Sequence, residues 1–159
     1  MEEVEKWKSN GPPAPSPETV ERIIRESLPH IGARLTVESI GAGTAQVKVP
    51  FEPWMIRPGN TLSGPALFLA ADCAMFALLL AQVGHEVMAF TSDLTMHFLN
   101  KAKYGDIVAD ARLLKVGRRL AVMEVSLFTA GDPAMVAHAT GSYVLPTPPH
   151  GGLVEPGTS

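Results

Sequence analysis

Residues 63–83 read SGPALFLAADCAMFALLLAQV, and the fold follows from how such a stretch can be buried. As a helix it is apolar on every side, so it cannot lie on a surface with one face in water; protein or lipid must wrap it. Its length is close to the roughly 20 residues that a bilayer needs. Asp72 near its centre argues against lipid, where a carboxylate is costly. In a protein core the same carboxylate needs a partner, access to water, or a raised pKa. Asp72 is therefore the first candidate functional residue, weighed against the plainer reading of a core acid that bonds its neighbours.

The flanking sequence supplies the wrapping. Downstream, four strand-like segments at residues 87–99, 106–116, 119–129 and 134–145 are separated by Lys103-Tyr104-Gly105, Gly117-Arg118 and Gly131-Asp132-Pro133. Short turns predict antiparallel neighbours in a meander. Upstream, Leu35 and Val37, then Ala45, Val47 and Val49, alternate with polar residues about Gly41-Ala42-Gly43, which reads as a hairpin. Before it, Ser16, Pro17 and Glu18 open a helix predicted over 17–30, with Val20, Ile23, Ile24 and Leu28 on one face and Gly32 as its stop. A hairpin, one buried helix and a run of long strands predict an α+β domain in which a curved antiparallel sheet wraps one central apolar helix, with an extra N-terminal helix. The sheet then takes the place of lipid, and no membrane association is expected.

Composition narrows the function classes. With 159 residues, 46% of them hydrophobic and 18% charged, the chain can bury the core of one domain and is not intrinsically disordered. A formal charge of -3 gives no reason to expect nucleic acid. The single Cys73 cannot form an intrachain disulfide, and residues 1–8 are charged and lack the apolar core of a signal peptide, so a cytoplasmic location is expected. Pro and Gly accumulate at both ends, predicting a flexible N-terminal segment at 1–16, a single domain at 17–146 and a flexible tail at 147–159.

Three groups of residues can carry chemistry. Gly64 and Pro65 begin the central helix, where unpaired N–H groups suit a developing oxyanion. From Gly64 to Asp72 the rise along a helix is about 12 Å, too far for both to act on one carbonyl. If both act on one substrate, they come from two copies of the helix, which predicts a homodimer. On the first long strand, Thr91, Asp93, Thr95 and His97 are expected on one face and Leu94, Met96 and Phe98 on the other. His97 reads as a surface or interface histidine, His30, His85 and His138 form no cluster with it, and no metal is expected. Lys115, Arg118 and Arg119 flank the turn at Gly117, usually a solvated arrangement but also a grip for a nucleotide phosphate.

The order R-P-G-N-T-L-S-G-P-A-L-F-L-A-A-D-C-A-M, T-S-D-L-T-M-H-F-L-N-K-A, G-D-I-V-A-D-A-R-L-L-K-V-G-R-R-L-A-V-M-E-V and A-H-A-T-G-S-Y-V-L-P resembles the hotdog-fold thioesterases of the PaaI-like, or 4-hydroxybenzoyl-CoA thioesterase-like, group over residues 35–146. The resemblance implies a hotdog homodimer, often paired into a tetramer, that hydrolyses an acyl-CoA at the subunit interface, with CoA as part of the substrate and no separate cofactor. By position it makes Gly64 the donor to the thioester carbonyl, Asp72 the nucleophile or general base from the opposite subunit, and Thr91 a hydroxyl that helps hold the attacking water. It places Lys115, Arg118 and Arg119 where relatives touch the CoA phosphates. Two positions depart from the pattern. Ser63-Gly64-Pro65 stands where many relatives have His-Gly-Gly, and Arg57 stands where Asn or Gln is common, with Asn60 near enough in the loop to substitute. These departures prompt an alternative, a non-catalytic hotdog protein that binds acyl-CoA or an acyl carrier protein. A dehydratase or hydratase would need a histidine near the helix start, and the sequence has none there.

Overall fold

The computed structural model describes residues 13–31, 34–84 and 88–146. Gly32, His85 and most of the two expected tails lie outside the described residues. Helix α1 (Pro17–Ser27) starts as its sequence requires: Ser16 accepts a hydrogen bond from the Thr19 N–H at 3.3 Å, and Pro17 occupies the first turn. It stops earlier than the predicted position 30 because Leu28 precedes Pro29, and a residue before proline is driven out of the helical region; Leu28 has φ -129 and ψ 64. Val20 and Ile24 are buried, and Glu21 accepts a hydrogen bond from the Val37 N–H at 3.0 Å, tying α1 to the first strand.

Strands β1 (Thr36–Gly41) and β2 (Thr44–Val49) form the expected hairpin, with Gly43 at φ 75 in its turn. A short ribbon of β3 (Ile56–Arg57) and β4 (Thr61–Leu62) leads into helix α2 (Gly64–Val83), and then come β5 (Phe90–Phe98), β6 (Ile107–Val116), β7 (Leu120–Thr129) and β8 (Ala137–Val144). All six long strands form one antiparallel sheet in the order β1-β2-β6-β7-β8-β5.

That order corrects the simple meander. The strands β6, β7 and β8 are successive neighbours, but β5 pairs with β8 at the far edge and β6 pairs with β2. Residues 99–106 are therefore a crossover and not a hairpin turn. Main-chain bonds hold it in place: the Leu99 and Asn100 N–H groups donate to the Val136 carbonyl, and the Leu62 N–H donates to Ala102 at 2.9 Å. Lys103, which the sequence reading placed in a tight turn, bridges to Thr61 instead.

The sheet curves around α2, the hotdog architecture that the resemblance implied. Although α2 is long and apolar enough to cross a bilayer, most of its residues are buried within the protein. The sheet face toward it is rich in small side chains, with Ala109, Ala111, Ala121, Ala137 and Ala139 all buried. At Gly141 there is no room for a side chain: an added Cβ would stand 2.9 Å from Met75 and 2.8 Å from the Asp93 carbonyl. Replacing Gly141 with Ala is expected to destabilise the fold by about 1–3 kcal/mol through overpacking, read as a lower urea midpoint at unchanged m; an unaltered midpoint would show that the helix has room to retreat.

Candidate active site

The sheet does not cover α2 evenly. Phe68, Asp72 and Phe76, spaced by one helical turn, are left partly exposed in a helix whose other central residues are nearly all buried. Asp72 thus sits on the one stripe the sheet leaves open, half-buried and still within reach of solvent.

Its carboxylate is held from two strands. The Tyr143 hydroxyl donates to Asp72 Oδ1 at 2.7 Å and the Thr91 hydroxyl donates to the same oxygen at 3.0 Å. Among the described residues, Oδ2 accepts no hydrogen bond. Tyr143 stacks on Phe76, with ring centroids 6.4 Å apart and planes 8° from parallel. Burial, and next the charge of Asp72, push the Tyr143 phenol well above its usual range, so it remains a donor at every working pH.

Strict alternation would have placed Thr91 on the face shared by Asp93, Thr95 and His97. A β-bulge between Thr91 and Asp93 shifts the register and corrects this: Thr91 pairs with Tyr143 while Leu94 pairs with Gly141, so Thr91 joins Leu94, Met96 and Phe98 on the helix side. Asp93 stays on the outer face, where Ser142 donates to it. His97 and His138 stand opposite each other on that outer face, and His138 contacts Glu124 at 3.2 Å, away from Asp72.

The second half of the site is the start of α2. Ser63 takes the Ala66 N–H at 3.4 Å and Pro65 has no N–H, so the Gly64 N–H is the donor of the first turn left without an acceptor among the described residues. Gly64 lines a cavity of about 350 Å³ together with Arg57, Leu67, Phe98, Leu99 and Lys101. The Phe98 ring lies 3.3 Å from where a Gly64 Cβ would be, and it packs against Phe68 with centroids 6.2 Å apart. The crossover at 99–106 forms one wall of this cavity and the β3–β4 ribbon the other.

Gly64 and Asp72 lie at opposite ends of β5. Thr91, at its beginning, touches Asp72, and Phe98, at its end, touches Gly64. Asn60 takes φ 54 beside Gly59 at φ 94 and is accounted for by the tight turn of the ribbon; it does not line the cavity, whereas Arg57 and Thr61 do. Lys115, Arg118 and Arg119 are exposed at the β6–β7 turn. The Arg119 carbonyl accepts from Leu145 at 2.9 Å, fixing that turn at the Tyr143 end of the sheet, the end that holds Asp72. Among the described residues, no group of three His, Cys, Asp or Glu side chains could hold a metal ion. Sequence reasoning missed Tyr143 and the Phe98 contact, since both depend on strand pairing across the crossover.

A family profile described as "Thioesterase superfamily" matches residues 59–136. The chain is 30% identical over 110 residues to a candidate esterase of Saccharolobus solfataricus, covering 68% of this chain and 71% of that protein. The solved structure of a candidate thioesterase from Silicibacter sp. TM1040 is 34% identical and superposes with a TM-score of 0.76 over 82% of this chain and 92% of that one. Zebra fish thioesterase superfamily member 2, at 22% identity, shares the fold with a TM-score of 0.73 over 84% of this chain and all of that one.

Next to Asp72, Cys73 is shielded. Burial, and then the charge of Asp72, push its thiol up to about 12. At pH 8 the native protein is expected to react with an aromatic disulfide reagent roughly a thousandfold more slowly than the unfolded chain, in line with its thiolate fraction; equal rates would mean that Cys73 is open to solvent.

Proposed function

The chain belongs to the thioesterase superfamily, and on that premise we propose that it hydrolyses an acyl-CoA to a carboxylic acid and CoA as a PaaI-like homodimer. The observation that carries this reading is the carboxylate of Asp72, set on the open stripe of an otherwise buried helix and fixed there by Tyr143 and Thr91.

Dimerisation follows from what one chain leaves uncovered. The β5 edge has no neighbour among the described residues, and Phe90 and Phe98 stay exposed along it at 68% and 56%. Antiparallel pairing of β5 with a second β5 about a two-fold axis sets the Phe98 end of one chain against the Thr91 end of the other. Gly64 of one chain then meets the Asp72 stripe of its partner, joining two groups that one chain holds about 12 Å apart. Pairing of two such dimers into a tetramer is compatible with this site, which lies within each dimer.

The chemistry then runs as follows. Asp72 of one chain accepts a proton through Oδ2 from a water whose other hydrogen is directed at the Thr91 oxygen, and that water's oxygen bonds to the thioester carbon. The Gly64 N–H of the other chain, at the positive end of α2, holds the oxyanion that forms. As the tetrahedral intermediate collapses, the C–S bond breaks, and the CoA thiolate takes the proton held by Asp72. Lys115, Arg118 and Arg119, standing at the Asp72 end of the sheet, hold the CoA phosphates.

Asp72→Asn is expected to lower kcat by about a thousandfold or more while acyl-CoA binding persists, measured as thiol release and by calorimetric titration side by side. Binding by the wild type without turnover of any ester in an aryl, short-, medium- and long-chain panel would instead favour a non-catalytic acyl-CoA binding protein. A second test addresses the shared site. Gly64→Pro removes the first-turn donor that is free among the described residues, and its ring presses on Phe98, so the variant is first checked for native folding by circular dichroism. When the two inactive variants are mixed and allowed to exchange subunits, heterodimers carry one intact site each, and about a quarter of wild-type activity is expected to return; no recovery despite proven exchange would place both groups on a single chain.

A further inference from the structure

Two cations line the cavity at Gly64, and nothing in the proposed reaction uses them. Arg57 comes from the β3–β4 ribbon and Lys101 from the crossover. No carboxylate lines the same cavity, and among the described residues neither cation enters an ion pair with Asp or Glu. The backbone holds them on adjacent segments: Arg57 pairs in register with Thr61, Thr61 bridges to Lys103, and Leu62 donates to Ala102 at 2.9 Å. Leu62, Leu67, Phe98 and Leu99 give the cavity an apolar lining beside these cations, with Thr61 and Asn100 as its neutral polar residues.

A thioester has two arms, one on each side of its carbonyl. In the dimer the arm toward the partner's Asp72 passes to the cationic turn of Lys115, Arg118 and Arg119, which answers the phosphates of CoA. The other arm is the acyl group, and it enters the Gly64 cavity. The lining of that cavity combines apolar side chains with a guanidinium and an ammonium. We infer that the preferred substrate is a short acyl thioester with a carboxylate at the far end of the acyl chain, read by Arg57 and Lys101.

The chemistry of the two cations fits that role. A guanidinium offers paired donors that match the two oxygens of a carboxylate, and the ammonium beside it adds a second charge. The apolar wall suits the methylenes between carbonyl and carboxylate, and a cavity of about 350 Å³ is at the small end of the ligand-site range, which favours a short chain. A methyl-ended chain that reaches the guanidinium would displace its water without offering a hydrogen-bond acceptor in return. Discrimination therefore works in both directions, attracting the carboxylate and rejecting the methyl group.

This inference rests on the hydrolase reading, and the test separates the two. Glutaryl and pentanoyl thioesters, each made on CoA and on N-acetylcysteamine, are compared by kcat/KM with wild type, Arg57→Gln and Lys101→Gln. The wild type is expected to prefer glutaryl over pentanoyl by roughly ten- to a hundredfold on both carriers, mostly through KM. Arg57→Gln should bring that ratio close to one on both carriers, and Lys101→Gln should reduce it in part. Equal use of the two acyl groups by the wild type would overturn the inference and leave the hydrolase intact. So would a loss in Arg57→Gln confined to the CoA esters of both acids, since the cavity would then be reading phosphate. Should no thioester be hydrolysed, the hydrolase reading falls, and calorimetric titration of glutaryl-CoA against pentanoyl-CoA still decides the inference: a tighter glutaryl complex that Arg57→Gln abolishes supports it, and equal affinities refute it.

Discussion

The structure depends on burying a helix that has no polar side. A single sheet can surround most of such a helix but cannot close over it, and the residues left out must tolerate water or meet another surface. Here the remainder is the stripe of Phe68, Asp72 and Phe76. A carboxylate is tolerated on that stripe, because there it reaches solvent and is also held by protein donors. Tyr143 and Thr91 supply those donors from the last two strands of the sheet, so the packing that forms the core also fixes this carboxylate.

Two irregularities convert a regular sheet into a site. The bulge between Thr91 and Asp93 turns Thr91 toward the helix while leaving Leu94 and the residues beyond in their packed register. The crossover at 99–106 carries the chain past the start of α2 and thereby closes one wall of the Gly64 cavity. Both act on β5, one at each end. That strand therefore spaces the Asp72 end from the Gly64 end, and its outer edge, unpaired among the described residues, is the one through which the proposed dimer would bring opposite ends together.

The sequence made these features legible to different degrees, for physical reasons. The all-apolar helix, the single carboxylate and the glycine at the helix start are local facts of composition, and each lies where periodicity predicts it. The strands are likewise legible, with ends a few residues in from their turns. Strand order was not legible: the residues 103–105 carry the chemistry of a turn, but the pairing of Thr61 with Lys103 and of β5 with β8 is decided by distant partners. The bulge was hidden because Thr91, Asp93, Thr95 and His97 alternate without a break, and the slip shows only in the pairing of β5 with β8. Tyr143 was missed for the same reason, since nothing in its own neighbourhood announces a carboxylate 71 residues away.

The distribution of charge follows from the same geometry. A chain with a formal charge of -3 would as a whole repel a polyanionic thioester. Beyond about 8–10 Å, however, salt screens such a field, and the cations nearest the site decide what approaches it. Lys115, Arg118 and Arg119 stand at one end of the sheet and Arg57 and Lys101 beside the cavity at Gly64. In the proposed two-fold dimer these patches would fall on opposite sides of each carbonyl position, with the partner's Asp72 between them. Under the proposed reaction both arms of the substrate would then run toward positive charge, which draws in an anionic thioester. A single chain holds one patch at either end of β5, so in the proposed dimer charge and edge pairing would both call for the same second copy.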